Sequence, residues 1–274
     1  MNTDFVVAHG RVMHVPEPFG VMGIVNVTPD SFYAPSRVNT EDALKRIVTL
    51  RQQGADIIDL GAESSRPNAV PLTAEQEMER LSPVLAAVQR MGMTISVDTY
   101  HAKTAASALG MGAAIINDIS AAQWDPLLLD VLVQYKPGYV LMHAQNAKHR
   151  MHDKWCDLNL RLFFEQRLNM LVRSGLPENR ILLDPGIGFG KTQSQNLAVL
   201  RNIADLFCFG RPILLGISMK SFLTLFSDGE IDERVVPTQV ITALLYAQGV
   251  FWHRVHDVQS TRRTLRLSAN FVLK

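Results

Sequence analysis

The sequence predicts an α/β fold, a closed (β/α)8 barrel in which eight strand–helix pairs form one domain over residues 1–274. The chain has 274 residues, close to the roughly 250 that such a barrel takes as a single domain. Its apolar runs are continuous, as in parallel strands that helices cover on both faces. Nearly every run closes on a polar side chain, which is expected where strand ends surround a site. We therefore predict a TIM barrel.

The predicted strands are eight short apolar runs. In chain order they span 23–26, 56–61, 94–98, 114–118, 139–143, 181–184, 212–220 and 251–257. The run 181–184 is the most informative, because it ends on Asp184 and passes directly into a loop with three glycines, at positions 186, 188 and 190. Glycine permits backbone turns that other residues resist and lets the main chain approach a ligand closely.

The predicted helices are the stretches of helical periodicity between these runs. They span 40–53, 73–90, 102–111, 125–135, 158–174, 195–205, 237–248 and 260–270. A weak repeat places Gly54, Gly112 and Gly249 between a helix and the next strand, where a left-handed C-cap favours glycine. Residues 5–19 precede the first strand, and we expect them to form a short N-terminal hairpin that closes the bottom of the barrel.

A doubly wound open sheet would also alternate strands with helices. Such a sheet gathers its ligand groups at one switch point, whereas here polar residues end nearly all the predicted strands. Side chains at the ends of so many strands converge only if the sheet closes. The pattern therefore favours the barrel, with its site at the carboxyl end of the strands.

Composition excludes several classes of protein. The chain has 27 basic and 26 acidic residues and a formal charge of +1, without a basic block that would indicate nucleic-acid binding. Its start has no signal pattern, and no apolar stretch approaches the roughly 20 residues of a membrane span. Cys156 and Cys208 have neither metal-ligand spacing nor partners for a disulfide framework. We expect a cytoplasmic protein with neither nucleic-acid nor membrane partners.

The candidate functional residues are the polar side chains at the strand ends. They are Asn26, Asp98, Asn117, Asp184, Lys220, Arg254 and His256. Taken singly, each has an ordinary structural explanation: Asp98 could be a helix N-cap, Asn117 could cap a turn, and His143 could be a core histidine. Their joint position on one rim favours a functional site.

The chemistry of this set indicates the kind of ligand. Carboxylates and amides suit a neutral heterocycle with several N–H donors. Arg254 and His256 lie two apart on one predicted strand, so they point the same way and suit an anion such as pyrophosphate; we expect them to serve the ligand rather than the barrel core. Asn26 could hold a magnesium ion that keeps most of its waters. No Ser–His or Cys–His pair indicates covalent catalysis.

Eight segments carry a longer pattern of motifs. They are 26–32, 59–67, 96–100, 116–118, 141–143, 183–192, 218–222 and 254–257. The most specific read Asp-Pro-Gly-Ile-Gly-Phe-Gly-Lys from Asp184 and Arg-Val-His-Asp from Arg254. In order, and over nearly the whole chain, these segments resemble the motifs of the dihydropteroate synthase family of pterin-binding barrels.

The resemblance implies a transferase of folate biosynthesis. Such an enzyme joins 6-hydroxymethyl-7,8-dihydropterin pyrophosphate to p-aminobenzoate, releases pyrophosphate, uses Mg²⁺ and is a sulfonamide target. The implied mechanism is dissociative: pyrophosphate leaves first, and the neutral aniline then attacks the pterin methylene. The resemblance also implies a homodimer formed through barrel helices, for which the apolar stretch 236–246 is a candidate.

Carried over by position, the resemblance also implies a role for each residue. The pterin pocket would comprise Asp98, Asn117, Met142, Asp184, Phe189, Lys220 and Arg254. Pyrophosphate would be held by Asn26, Arg254 and His256, with Asn26 as the magnesium ligand. The catalytic residues would be Lys220, Arg254 and His256, and p-aminobenzoate would meet Arg66, Pro67, Phe189 and Ser221.

The chain departs from the family pattern mainly around the second substrate. Residues 33–37 read Tyr-Ala-Pro-Ser-Arg, where the family commonly has a Ser-Asp-Gly-Gly type of loop. Met219 stands where arginine is usual, Ser65 replaces a common threonine, and Thr224 stands where glycine often sits. Two alternatives therefore stay open: a methyltetrahydrofolate-dependent methyltransferase, and a non-catalytic pterin-binding paralogue with an altered second-substrate site.

Overall fold

The N-terminal segment forms the predicted hairpin. The structure, a computed structural model, describes residues 4–28, 40–63, 71–144, 159–226 and 232–271. Strands β1 (Phe5–Val6) and β2 (Val12–Met13) pair antiparallel. The Phe5 ring packs edge-on against Trp252, with 5.3 Å between ring centres, inside a cluster of apolar side chains from the barrel. The hairpin thus closes the amino-terminal end of the barrel.

Eight parallel strands of the described residues form the barrel wall. They are β3 (Gly20–Asn26), β4 (Ile57–Gly61), β5 (Thr94–Asp98), β6 (Ile115–Asp118), β7 (Gly138–Met142), β8 (Ile181–Asp184), β9 (Leu214–Leu215) and β10 (Trp252–Val255). Their hydrogen-bonded order is β8, β7, β6, β5, β4, β3, β10, β9. A parallel bridge between Leu183 and Ile213 joins β8 to the residue before β9. The sheet therefore closes, and the predicted barrel is confirmed.

Eight α-helices of the described residues accompany the strands. They are α1 (Thr40–Gln52), α2 (Ala74–Val88), α3 (Ala102–Gly110), α4 (Leu128–Tyr135), α5 (Leu160–Ser174), α6 (Gln193–Arg201), α7 (Val235–Ala247) and α8 (Val258–Phe271). Gly54, Gly112 and Gly249 have positive φ angles of 95°, 98° and 103°, which confirms the left-handed position that favours glycine after a helix. None of these helices has the length and apolar character needed to cross a bilayer.

Two predicted elements are shorter than expected. The predicted strand 212–220 is reduced to β9, because Pro212 has no N–H to donate and the chain turns after β9, where Lys220 N donates to Ile217 O at 3.3 Å. The predicted helix 195–205 begins two residues too late and runs past the end of α6 at Arg201, into a separate 3₁₀ helix, Ile203–Phe209. The shorter β9 means that Lys220 reaches the rim from a loop.

The barrel interior explains why polar groups gather at one end. Apolar side chains fill its amino-terminal half, where seven of the eight strands contribute to one cluster with the hairpin: Met22, Ile57, Ile115, Val140, Leu182, Leu214 and Trp252. A larger apolar cluster packs between the strands and the helices. Because burial of an unpaired charge is costly, the charged side chains of the interior lie toward the carboxyl end of the strands.

Candidate active site

The predicted strand-end residues come together at the carboxyl end of the barrel. Asn26, Asp98, Met142 and Asp184 are the last residues of β3, β5, β7 and β8, and Asn117 is the penultimate residue of β6. In the strand register Asp98 lies beside Asn117, and Met142 lies beside Asp184. Gly61, the last residue of β4, separates Asn26 from Asp98. The barrel therefore arranges these side chains in a ring.

Arg254 spans this ring through two ion pairs. Its Nε donates to Asp59 Oδ2 at 2.7 Å, and its Nη2 donates to Asp98 Oδ2 at 2.8 Å. Burial by itself would lower the pKa of Arg254, but Asp59 and Asp98 outweigh that effect and raise the pKa. The guanidinium is therefore permanently charged. Its side chain is 15 % exposed, so part of it stays accessible to a ligand.

Asp59 is a member of the site that the strand-end reasoning missed. It is fully buried in the middle of β4, where its Oδ2 also accepts from Asn117 Nδ2 at 3.0 Å. Its Oδ1 has no hydrogen-bond partner among the described residues. A carboxylate inside the apolar run Ile-Ile-Asp-Leu-Gly is the sequence signal that could have identified it, since a buried charge needs a partner.

The ordinary structural explanations fail for Asp98 and Asn117. Helix α3 is capped from elsewhere, because Ala102 N donates to Asp125 Oδ2 at 2.7 Å. Asp98 instead pairs with Arg254, and the Asn117 amide donates to Asp59 rather than capping a turn. Burial raises the pKa of Asp98, while Arg254 opposes that change. Both side chains therefore belong to the rim.

The loop after β8 is built around Asp184. Gly186 N donates to Asp184 Oδ1 at 2.7 Å. A Cβ at Gly186 (φ +66°) would lie 1.9 Å from the carbonyl oxygen of His143, so only glycine fits there. Lys191 Nζ donates to the carbonyls of His143 and Gly186, at 2.9 and 2.8 Å. Lys191, to which no role was predicted, therefore holds this loop against the end of β7.

Lys220 lies in the same part of the site. Its Nζ donates to the Ile187 carbonyl and lies 4.2 Å from the centre of the Phe189 ring. Burial lowers the pKa of Lys220 to about 8, although the charge of Asp184 opposes this change. The amine is therefore largely protonated at pH 7. Burial likewise raises the pKa of Asp184, against the charge of Lys220.

His256 is not on a strand, which corrects the prediction that it shares one with Arg254. Strand β10 ends at Val255, and His256 follows it. Ser218 Oγ accepts from His256 N at 3.2 Å and lies 3.1 Å from His256 Nδ1. We assign the ring proton to Nε2, because Ser218 can donate its own proton to Nδ1. Although His256 keeps contact with solvent, the atoms packed around its imidazole and the charge of Arg254 lower its pKa to about 4, so the imidazole is neutral at pH 7.

His143 fits its ordinary structural explanation as a core histidine. Its ring packs edge-on against Phe163 at 4.7 Å between ring centres, and its Nδ1 has no hydrogen-bond partner among the described residues. Burial lowers the pKa of His143 to about 3. The side chain is therefore an uncharged part of the wall behind the glycine loop.

The second-substrate residues are only partly described. Ser221 is exposed and begins a short 3₁₀ helix, Ser221–Phe226, and Phe189 is half-buried beside Lys220. Thr224 Oγ1 donates to the Ser221 carbonyl at 2.8 Å within that helix. The remaining predicted positions, Arg66, Pro67, Ser65 and the loop 33–37, lie outside the described residues.

Asn26 is exposed at the rim, where it offers an amide oxygen. A Cβ on Gly61 would lie 3.6 Å from Asp98 Cβ, 3.7 Å from Asn26 Oδ1 and 3.9 Å from Asp98 Oδ2, which are ordinary contact distances. No group of three or more His, Cys, Asp or Glu side chains in the described part of the chain is arranged to bind a metal. A magnesium ion here would take few protein ligands, and would complete its shell with waters and substrate oxygens.

Comparison with known proteins identifies the family. The sequence profile described as pterin binding enzyme matches residues 22–256. Dihydropteroate synthase from Synechocystis sp. is 37 % identical to this chain over 255 residues, which cover 90 % of this chain and 88 % of the relative. This chain belongs to the dihydropteroate synthase family.

Solved structures of dihydropteroate synthases share the fold. The enzyme from Clostridium difficile, crystallised in the presence of pteroic acid, has a TM-score of 0.86 and 35 % identity, and the match covers 93 % of this chain and 97 % of that one. The enzyme from Xanthomonas albilineans with 4-aminobenzoic acid has a TM-score of 0.88 and 31 % identity, over 98 % and 100 % of the two chains. Both comparisons agree with the resemblance of the motifs.

Proposed function

We propose that this chain is an active dihydropteroate synthase. It would condense 6-hydroxymethyl-7,8-dihydropterin pyrophosphate with p-aminobenzoate to give dihydropteroate and pyrophosphate. The observation that carries the proposal is the ring in which Asp59, Asp98 and Asp184 alternate with Arg254 and Lys220 at one end of a barrel of this family. This ring offers acceptors for a pterin and cations for a departing anion.

The carboxylates and amides are suited to hold the pterin ring. Asp184 uses Oδ1 for Gly186, and no described residue donates to its Oδ2, so that oxygen is available to the amino and ring N–H groups of a pterin. Asp98 and Asn117 would bind further polar groups on the ring edge. Met142, with Phe189 and Lys220, would pack against its faces. Arg254 would lie beside the ring, held in place by its two carboxylates.

The leaving pyrophosphate would be held by Asn26, Arg254 and His256. In the proposed step the bond between the pterin methylene and the pyrophosphate oxygen breaks, and both electrons leave with the oxygen. Arg254 contributes a fixed positive charge, whereas His256, neutral at pH 7, donates a hydrogen bond from Nε2. Catalysis of this kind depends on positioning and charge stabilisation, so Lys220, Arg254 and His256 are the proposed catalytic residues.

Magnesium is the proposed cofactor, and Asn26 is its proposed protein ligand. When bound, the ion would neutralise charge on the pyrophosphate oxygens. The exposed amide oxygen of Asn26 at the rim supports this assignment. Asn26 would hold and orient the ion, while Asp98 stays paired with Arg254.

The second substrate, p-aminobenzoate, would contact Ser221 and Phe189, together with Arg66 and Pro67. The exposed start of the helix Ser221–Phe226 presents backbone N–H groups and a hydroxyl, to which a carboxylate can bind. The neutral amine of p-aminobenzoate would then use its nitrogen lone pair to form the new C–N bond and afterwards release a proton to water. No protein nucleophile is required.

The test is a direct assay of the purified protein with pterin pyrophosphate, p-aminobenzoate and Mg²⁺. We expect dihydropteroate and pyrophosphate in equal amounts, detected by mass spectrometry and a coupled pyrophosphate assay. Pterin binding without product would indicate the non-catalytic paralogue. Methyl transfer from methyltetrahydrofolate, with no pyrophosphate-dependent reaction, would indicate the methyltransferase. Either result would refute the proposed activity.

We further propose that the enzyme is a cytoplasmic homodimer whose partners are its small-molecule substrates. Five apolar side chains on the adjacent helices α7 and α8 are each more than half exposed: Val236, Val240, Leu244, Leu267 and Phe271. An exposed apolar surface of this kind is typical of a protein interface. A cytoplasmic location suits a charged pyrophosphate substrate, and a formal charge of +1 provides little attraction for nucleic acid.

A further inference from the structure

Met219 has an unusual backbone conformation directly before Lys220. Its φ angle is +60°, in the left-handed region that a bulky side chain rarely adopts. Such outliers persist only where surrounding structure holds them, and they often occur at functional sites. Met219 lies between Ser218, which contacts His256, and Lys220, which contacts Ile187 and Phe189. Its conformation therefore sets the direction in which Lys220 leaves the backbone.

Both backbone polar groups of Met219 are held by the start of helix α7. Met219 N donates to Thr238 Oγ1 at 3.3 Å, and Thr238 Oγ1 donates to the carbonyl of Arg234 at 2.7 Å. Arg234 Nη1 in turn donates to the Met219 carbonyl at 3.1 Å. Arg234 is the N-cap residue of α7, and Thr238 is buried in its first turn. The three residues form a closed ring of hydrogen bonds, which we call the Met219 ring.

We infer that Arg234 and Thr238 are positioning residues for Lys220. By holding Met219 in the left-handed conformation, they direct Lys220 toward Phe189 and present Ser221 at the rim. The inference rests on the proposed function, because the roles of Lys220 and Ser221 come from it. Arg234 also supplies a guanidinium next to Met219, the position where the resemblance leads one to expect an arginine.

The decisive experiment uses glycine to remove the need for the Met219 ring. Thr238→Val deletes the hydroxyl that links Met219 to α7, and Arg234→Gln deletes the guanidinium. Each should lower kcat/KM for pterin pyrophosphate by about tenfold to a hundredfold, the range expected when a reacting group is misplaced. Glycine adopts positive φ without a side-chain penalty, so adding Met219→Gly to either variant should recover most of the loss. Met219→Gly alone is the reference for this recovery.

A matched control is available one turn further along α7. Thr242 is fully buried, and its Oγ1 has no hydrogen-bond partner among the described residues. Thr242→Val should therefore keep kcat/KM near the wild-type value. If Arg234→Gln fails to fold, Thr238→Val still tests the positioning role. Normal kcat/KM in Thr238→Val, or a loss that Met219→Gly does not relieve, would overturn the inference.

The positioning role of Arg234 and Thr238 can be tested separately from the proposed function. If the wild-type protein makes no dihydropteroate, the proposed function fails, and the variants are then compared by calorimetry with pteroic acid. Weaker binding by Thr238→Val that Met219→Gly restores would still support the positioning role. Equal affinities in Thr238→Val, Thr242→Val and wild type would overturn it.

Discussion

At the scale of single residues, the proposed site depends on buried carboxylates, and Asp184 is the one proposed to offer an oxygen to the ligand. Asp184 is 5 % exposed, and its Oδ1 accepts a hydrogen bond from Gly186 N. Asp184→Asn would replace an acceptor pair by one acceptor and one donor, and that donor would face the N–H groups of the pterin. We expect pterin affinity to fall by about 2–4 kcal/mol, measured by calorimetry. An unchanged affinity would remove Asp184 from the pocket.

Lys220 provides a prediction of pH dependence. Burial lowers its pKa from 10.5 to about 8, so its positive charge is present below that pH and is lost as the pH rises through it. We expect pterin affinity to decrease above pH 8. In Lys220→Arg the decrease should move to higher pH, because a guanidinium stays protonated. A decrease near pH 7 that Lys220→Arg does not move would instead indicate Lys191, whose pKa burial lowers to about 7.

At the scale of elements, strand β10 shows why two residues of one motif differ in their structural importance. Arg254 lies within β10 and pairs with the fully buried Asp59, whereas His256 follows the strand and is exposed. For Arg254, the pair with Asp59 argues against the expectation that the barrel core does not need the residue. Arg254→Met should destabilise the protein by about 3–5 kcal/mol, because it leaves a buried carboxylate unpaired.

The control for that prediction is His256→Ala. It should change the free energy of unfolding by less than about 1 kcal/mol, as for most surface substitutions, while it impairs the reaction of the pyrophosphate substrate. Urea unfolding of both variants makes the comparison. Adding Asp59→Asn to Arg254→Met should restore part of the lost stability. If Arg254→Met is as stable as His256→Ala, the buried ion pair does not have the role described.

Much of this element-scale organisation could be predicted from the sequence, for a physical reason. Strands that are buried on both faces appear as apolar runs, and turns after them require polar or glycine residues, so strand ends such as Asp98 and Asp184 are visible. The direction of each side chain is not visible, because both faces of such a strand are apolar. Asp59 was missed for that reason. The short β9 could have been expected from Pro212, which has no N–H to donate to a neighbouring strand.

At the scale of the whole molecule, the exposed apolar surface of α7 and α8 predicts an assembly. Val240 lies in the middle of the α7 stripe, between Val236 and Leu244. Val240→Glu would place a charge inside the proposed interface, which is costly without a partner. We expect a wild-type dimer and a Val240→Glu monomer in sedimentation experiments, with Arg263→Glu, an exposed charge change on α8, as the control. A monomeric wild-type protein would contradict the proposed interface.

The proposed function places a pterin site at one rim of the barrel. The most direct measurement is a crystal structure of this protein with pteroic acid. We expect a pterin ring within hydrogen-bond distance of Asp98, Asn117 and Oδ2 of Asp184, with the ring between Arg254 and Lys220. The benzoate end should lie toward Ser221. A ring bound elsewhere, or one in the barrel mouth that leaves Asp184 without a contact, would contradict the claim.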